Sequence, residues 1–68
     1  MQELTGCLEH IIYRNEDTGF SVARLGADKN RSTTVIVGMF ASLNPGEIIK
    51  CMGSYKQHHE YGKQFSVV

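Results

Sequence analysis

The 68-residue chain contains no tryptophan, one proline and two cysteines, and its seven basic side chains cancel seven acidic ones. Each shortage excludes something. Zero net charge argues against a strong autonomous nucleic-acid binder, because backbone affinity comes largely from neutralised phosphates. Cys7 and Cys51 lie far apart and form no C-x-x-C pair. We read them as buried, reduced thiols of a cytoplasmic protein. The opening MQELTGCLEH lacks the apolar centre of a secretory signal, and the longest apolar run, VIVGMFA (35–41), falls far short of a membrane span. No G-x-x-x-x-G-K-[ST] loop and no acidic magnesium-binding run are present, so the chain is expected to be catalytically silent and to hold no cofactor.

No stretch sustains a helical period either. What recurs instead is β-rich runs divided by turn residues, the pattern of a small all-β barrel or sandwich. The first, ELTGCLEHIIYR (3–14), loses its alternation near Ile11 and Ile12, which predicts a bulge, and Gly6 suits the same bend. NEDTG (15–19) predicts a hairpin closed by Gly19. FSVARLGA (20–27) follows, with Phe20 and Val22 on one face and an irregularity near Ala23–Arg24 to accommodate Leu25. DKNR (28–31) reads as a turn, STTVIVGMF (32–40) as a third strand, and Pro45–Gly46 as a type II turn. IIKCMGSYKQHH (48–59), the turn EYGK (60–63) and KQFSVV (63–68) complete the chain. Five strands bent at glycines predict a single, partly open barrel of the OB type over 1–68, with an SH3-like barrel as the alternative. The sequence stops within or just after strand 5, as an excerpt of a longer protein would.

Three blocks, in order, resemble a known family. LTGCLEHIIYRNEDTGFSVARL (4–25), VGMFASLNPGE (37–47) and HHEYGKQF (58–65) are similar to the amino-terminal OB-like domain of RecD/TraA-type ATP-dependent DNA helicases. That group includes the exodeoxyribonuclease V alpha subunit. Leu8 stands where the family favours a β-branched residue. The resemblance implies a domain placed before a helicase motor that hydrolyses ATP with magnesium and moves 5′ to 3′ on single-stranded DNA. Its setting would be recombination and double-strand-break repair. The implied partners are the motor of the same chain, single-stranded DNA, and other exodeoxyribonuclease V subunits that make up a nuclease; a membrane is not among them.

Two groups of side chains suit DNA. On the first hairpin, Tyr13, Phe20, Arg14 and Arg24 could form a stacking platform. The competing reading makes Phe20 and Tyr13 core anchors, and we favour it for Phe20, since so small a core needs its aromatics. Arg14 and Arg24 are expected to face outward. Along strand 4 and the following hairpin lie Lys50, Tyr55, Lys56, His58, Tyr61 and Lys63, a basic and aromatic strip that also fits a solvated face guarded by edge lysines. Cys7, His10, Cys51, His58 and His59 do not form a zinc set, because alternation sends neighbours to opposite faces. Glu9, Glu16, Asp17 and Glu60 offer no paired carboxylates. In YGKQF, Phe65 is assigned to the core and Gln64 to the other face. Two functions follow: a module that packs on the motor or a partner subunit, or a single-stranded DNA guide. Convergence or scatter of the cations and tyrosines separates them.

Overall fold

The computed structural model describes residues 1–26, 33–58 and 62–68, with His58 described by its backbone alone. It contains five strands, β1 (Gln2–Arg14), β2 (Phe20–Gly26), β3 (Thr33–Met39), β4 (Ile48–His58) and β5 (Gly62–Val67). The expected all-β barrel is present, in the neighbour order β1-β2-β3-β5-β4 and back to β1. All ladders are antiparallel except β3–β5, which is parallel. That ladder is short, Val35↔Gln64 to Val37↔Ser66, and it closes the ring where a partly open barrel was expected.

One long strand serves both halves of the ring. The first part of β1, Gln2–Cys7, pairs with β4, and the remainder pairs with β2. Gly6 sits where β1 crosses between them. A Cβ there would come within 2.6 Å of the Gly26 carbonyl oxygen, so only a residue without a side chain permits the approach. Register shifts between Leu8 and His10, and between Ile11 and Tyr13, mark bulges in β1. They account for the slip in alternation seen in the sequence.

The irregularity expected in β2 does not occur there. The β2–β3 ladder runs without interruption from Phe20↔Met39 to Gly26↔Thr33. It is β1 that carries the extra residues, so Ser21, Ala23 and Leu25 alternate regularly into the barrel. The face chosen from Phe20 and Val22 was the wrong one, because serine and alanine are small enough to be overlooked as core.

The interior is filled by Leu8, Ala23, Leu25, Ile36, Leu43, Cys51 and Phe65. Leu43 comes from the β3–β4 connection, whose backbone continues the β1 ladder: Leu8 donates to the Glu47 carbonyl at 2.8 Å and accepts from Gly46 at 2.7 Å. The Pro45–Gly46 turn forms as expected, with Gly46 at φ 94°. Gly19, at φ 82°, closes the first hairpin and donates to the Asn15 carbonyl at 2.8 Å. DKNR (28–31) lies outside the described residues, as does most of the EYGK turn.

Candidate interaction surface

The second bulge decides which residues of the first hairpin meet solvent. With Ile12 as the extra residue, Tyr13 pairs with Val22 and Arg14 with Ser21. Val22 belongs to the outer face and Ser21 is fully buried, so Tyr13 turns out and Arg14 turns in. The outward Arg14 expected from the sequence is therefore corrected: its side chain is only 15% exposed. Its guanidinium donates to Ser21 Oγ at 2.8 Å and to the Ala41 carbonyl at 3.0 Å, and its Nε lies 3.3 Å from Glu16 Oε1. Ser21 Oγ in turn donates to the Gly19 carbonyl at 3.1 Å. Arg14 thus ties the hairpin loop to the β3–β4 connection.

Phe20 is likewise corrected. It is not a core anchor but 37% exposed, with its ring tilted against Tyr13 (52% exposed) at 6.3 Å between centroids. Both occupy the outside of the barrel. Arg24, two residues beyond Val22 on the same phase, is exposed as expected.

The strip along β4 divides between two phases. Lys50 and Lys56 share the outer phase, on which Thr5↔Lys50 and Lys56↔Gln64 are paired. Lys50 Nζ lies 3.3 Å from Glu3 Oε2. Tyr55 and Lys63 follow the opposite phase, at the mouth of the barrel. Tyr55 meets Phe65 edge-on at 5.0 Å, and Lys63 Nζ sits 4.4 Å above the Tyr55 ring. Lys63 and Phe65 thus both contact the Tyr55 ring, which remains 36% exposed. Phe65 is fully buried and Gln64 faces the other way, as expected. His58 pairs through its backbone with Gly62, while the His58 side chain, His59, Glu60 and Tyr61 lie outside the described residues.

A surface missed in the sequence joins these pieces. On the outer face, Ile12, Tyr13, Val22, Val35 and Gln64 line a groove of about 330 Å³. Phe20, whose ring meets Tyr13, and its cross-strand partner Met39 add exposed apolar surface to the same face, and Met39 is 62% exposed. The signal was available. The run VIVGMF does not alternate, and a strand apolar on both phases is one whose two faces are both covered. A second, polar cleft lies at the hairpin tip between Arg14, Glu16, Asp17, Thr18 and Phe40.

A barrel of this strand order, with a long coiled β1, leaves one question of kinship. Over residues 1–68 the chain matches the family model described as the OB-fold domain of the ATP-dependent DNA helicase YrrC. The chain belongs to that family. No curated protein and no solved structure matched it in the parallel comparisons.

For a member of the YrrC OB-fold family, nucleotide chemistry is the first thing to test against the residues. The described residues build no cradle for a triphosphate. Among the described residues there is no helix, hence no helix N-terminus to cradle phosphates. The left-handed glycines, Gly19, Gly46 and Gly62, lie far apart in the chain. Glu9 lies exposed in the first bulge, Asp17 is exposed at the hairpin tip, and Glu16 is paired with Arg14.

The thiols of this OB domain are free and sit on opposite phases. Cys51 is buried, its Sγ 3.6 Å from the Leu4 carbonyl, and burial pushes its thiol above the ordinary value. Cys7 is only half-buried, which corrects the expectation that both are interior. No helix of the described residues is long and apolar enough to cross a membrane.

Proposed function

We propose that this OB-fold domain is the non-catalytic docking module of a RecD-like 5′–3′ DNA helicase, of the exodeoxyribonuclease V alpha kind, acting in recombination and repair in the cytoplasm. In this reading the outer face of β2 and β3 packs on the helicase motor or on a partner subunit, and ATP and magnesium serve the motor alone. The observation that carries it is the exposed apolar surface of Ile12, Tyr13, Phe20 and Met39 around an apolar groove. Contiguous patches of this kind on a small soluble domain usually mark an interaction site. The cations support it as well, since Arg14, Lys50 and Lys63 are already engaged within the domain.

Hydrogen exchange of the 68-residue chain, alone and mixed with the helicase motor supplied as a separate polypeptide, tests the proposal. Protection should rise on residues 12–13, 20–24 and 35–39. Unchanged exchange there would sink it. The second reading, guidance of single-stranded DNA, draws on Arg24 and Lys56, both exposed, and on the exposed aromatic Tyr13. Chemical-shift changes on an oligo-thymidine, present at low salt and fading as salt rises, would favour it instead.

A further inference from the structure

A cross-strand row through the apolar groove carries a cation at each end, with the Glu9 carboxylate lying over Gly26 beyond Arg24. Arg24, Val35, Gln64 and Lys56 stand directly opposite one another in turn on β2, β3, β5 and β4. Val35 and Gln64 line the groove, and the two cations stand at either end of the row. Four adjacent strands make three inter-strand steps, so Arg24 and Lys56 are separated by roughly 14 Å across the barrel wall. His10, exposed, extends the row opposite Arg24. The ion pairs among the described residues are Arg14–Glu16 and Lys50–Glu3. Neither Arg24 nor Lys56 takes part in them, so neither is paired with a carboxylate among the described residues.

We infer that the groove receives an extended peptide segment bearing one large apolar side chain between two carboxylates, in the spacing acid-x-apolar-x-acid. In an extended segment, alternate side chains point the same way, and residues four apart lie about 13 Å from one another. The central side chain then enters the groove against Val22, Val35 and Tyr13 while the two carboxylates meet Arg24 and Lys56. Gln64, on the groove floor, supplies an amide to the segment's backbone. A groove of about 330 Å³ is at the bottom of the size range of ligand sites, about 300–1,000 Å³, and takes one side chain at a time. A nucleic-acid strand would call on further cations along its path, and of the described ones Arg14 and Lys50 are paired with carboxylates while Lys63 sits over Tyr55. This inference rests on the docking reading above and specifies the chemistry of the docked segment.

The test is an NMR titration of the ¹⁵N-labelled chain with three probes at one salt concentration. The first is a capped peptide, Gly-Asp-Ser-Leu-Ser-Asp-Gly, the second the same peptide with both Asp replaced by Asn, and the third an oligo-thymidine. The acidic peptide should shift residues 12, 13, 22, 24, 35, 56 and 64. It should bind about three- to ten-fold more tightly than the amide version, as two exposed ion pairs provide. Arg24→Gln with Lys56→Gln, both on exposed side chains, should abolish that preference while leaving the spectrum otherwise folded. Equal binding of the two peptides would overturn the flanking charges but leave the apolar docking site standing. Binding of oligo-thymidine alone would overturn both in favour of nucleic acid. No binding of any probe would overturn the acidic segment, and hydrogen exchange against the motor would still judge the docking reading separately.

Discussion

The two faces of the β2–β3 ribbon carry their bulk in an unusual distribution. Inside, β2 contributes Ser21, Ala23 and Leu25, and β3 contributes Thr34, Ile36 and Gly38. Outside, the same strands show Phe20, Val22 and Arg24 opposite Met39, Val37 and Val35. In an antiparallel sheet with one face in water, the large apolar residues normally face in and the polar ones out. A narrow five-stranded barrel limits that arrangement. Phe65, Leu8, Leu25 and Ile36 are the largest fully buried side chains, and the small Ser21 and Ala23 on β2 leave room for them. The apolar residues on the outer face are not needed to fill the barrel. They suit a second layer supplied by another body, and under the proposed docking role that is what separates the faces: one builds the fold, the other meets the partner.

The comparison is sharpest where a single substitution removes the interior itself. Phe65→Ala should cost about 3–5 kcal/mol. A 68-residue domain has only roughly 3–10 kcal/mol in total. Far-ultraviolet circular dichroism should show the variant largely unfolded or with a much lower denaturant midpoint.

Ser21→Ala should come next, at about 1–3 kcal/mol, because it takes a buried partner from the Arg14 guanidinium. A cost below about 0.5 kcal/mol in urea unfolding would mean that the inner face depends on bulk alone. Gly19→Ala should lose about 1–2 kcal/mol, the penalty of a side chain in left-handed backbone. The loss should be visible as a lower thermal midpoint.

On the other face, Met39→Thr should change stability by no more than about 0.5 kcal/mol, yet reduce association with the motor in a pull-down of the two polypeptides. A loss near that of Ser21→Ala would erase the distinction between the faces.

The smallest effect concerns the core thiol. The folded protein holds the Cys51 proton more tightly than the unfolded chain does. Its contribution is therefore fully present below the ordinary thiol value and is lost as the pH rises through that value toward the higher folded one. As the pH rises through the ordinary thiol value, about 8.5, stability should decline, and by less in Cys51→Ala. Identical slopes would show that the thiol is not the cause.

Much of the fold was legible residue by residue. The slip at Ile11–Ile12 announced a bulge, Gly19 and Pro45–Gly46 announced turns, and Phe65 announced the core. What failed was phase. Phe20 looked interior because aromatic residues are the usual fillers of small cores, but Ser21 and Ala23 hold that side. Arg14 looked solvated because charge usually is. One extra residue at Ile12 turned it toward Ser21 and Ala41, and no local pattern shows what a strand will face once it has passed a bulge. The strip from Lys50 to Lys63 looked continuous in the sequence, whereas alternation splits it between the Glu3 side and the Tyr55 side.

The sequence by itself determined the strands and the turns at Gly19 and Pro45–Gly46, because these rest on chemistry that acts between neighbours: β-branched runs, left-handed glycines, proline before glycine; the family rested on the likeness of three motif blocks. Only the tertiary structure decided which side of each strand is interior and which residues share the groove. Those facts depend on how many residues bulge out of β1 and on where β3 meets β5 to close the ring. Barrel closure brings Arg24, Gln64 and Lys56 into one row from distant parts of the chain.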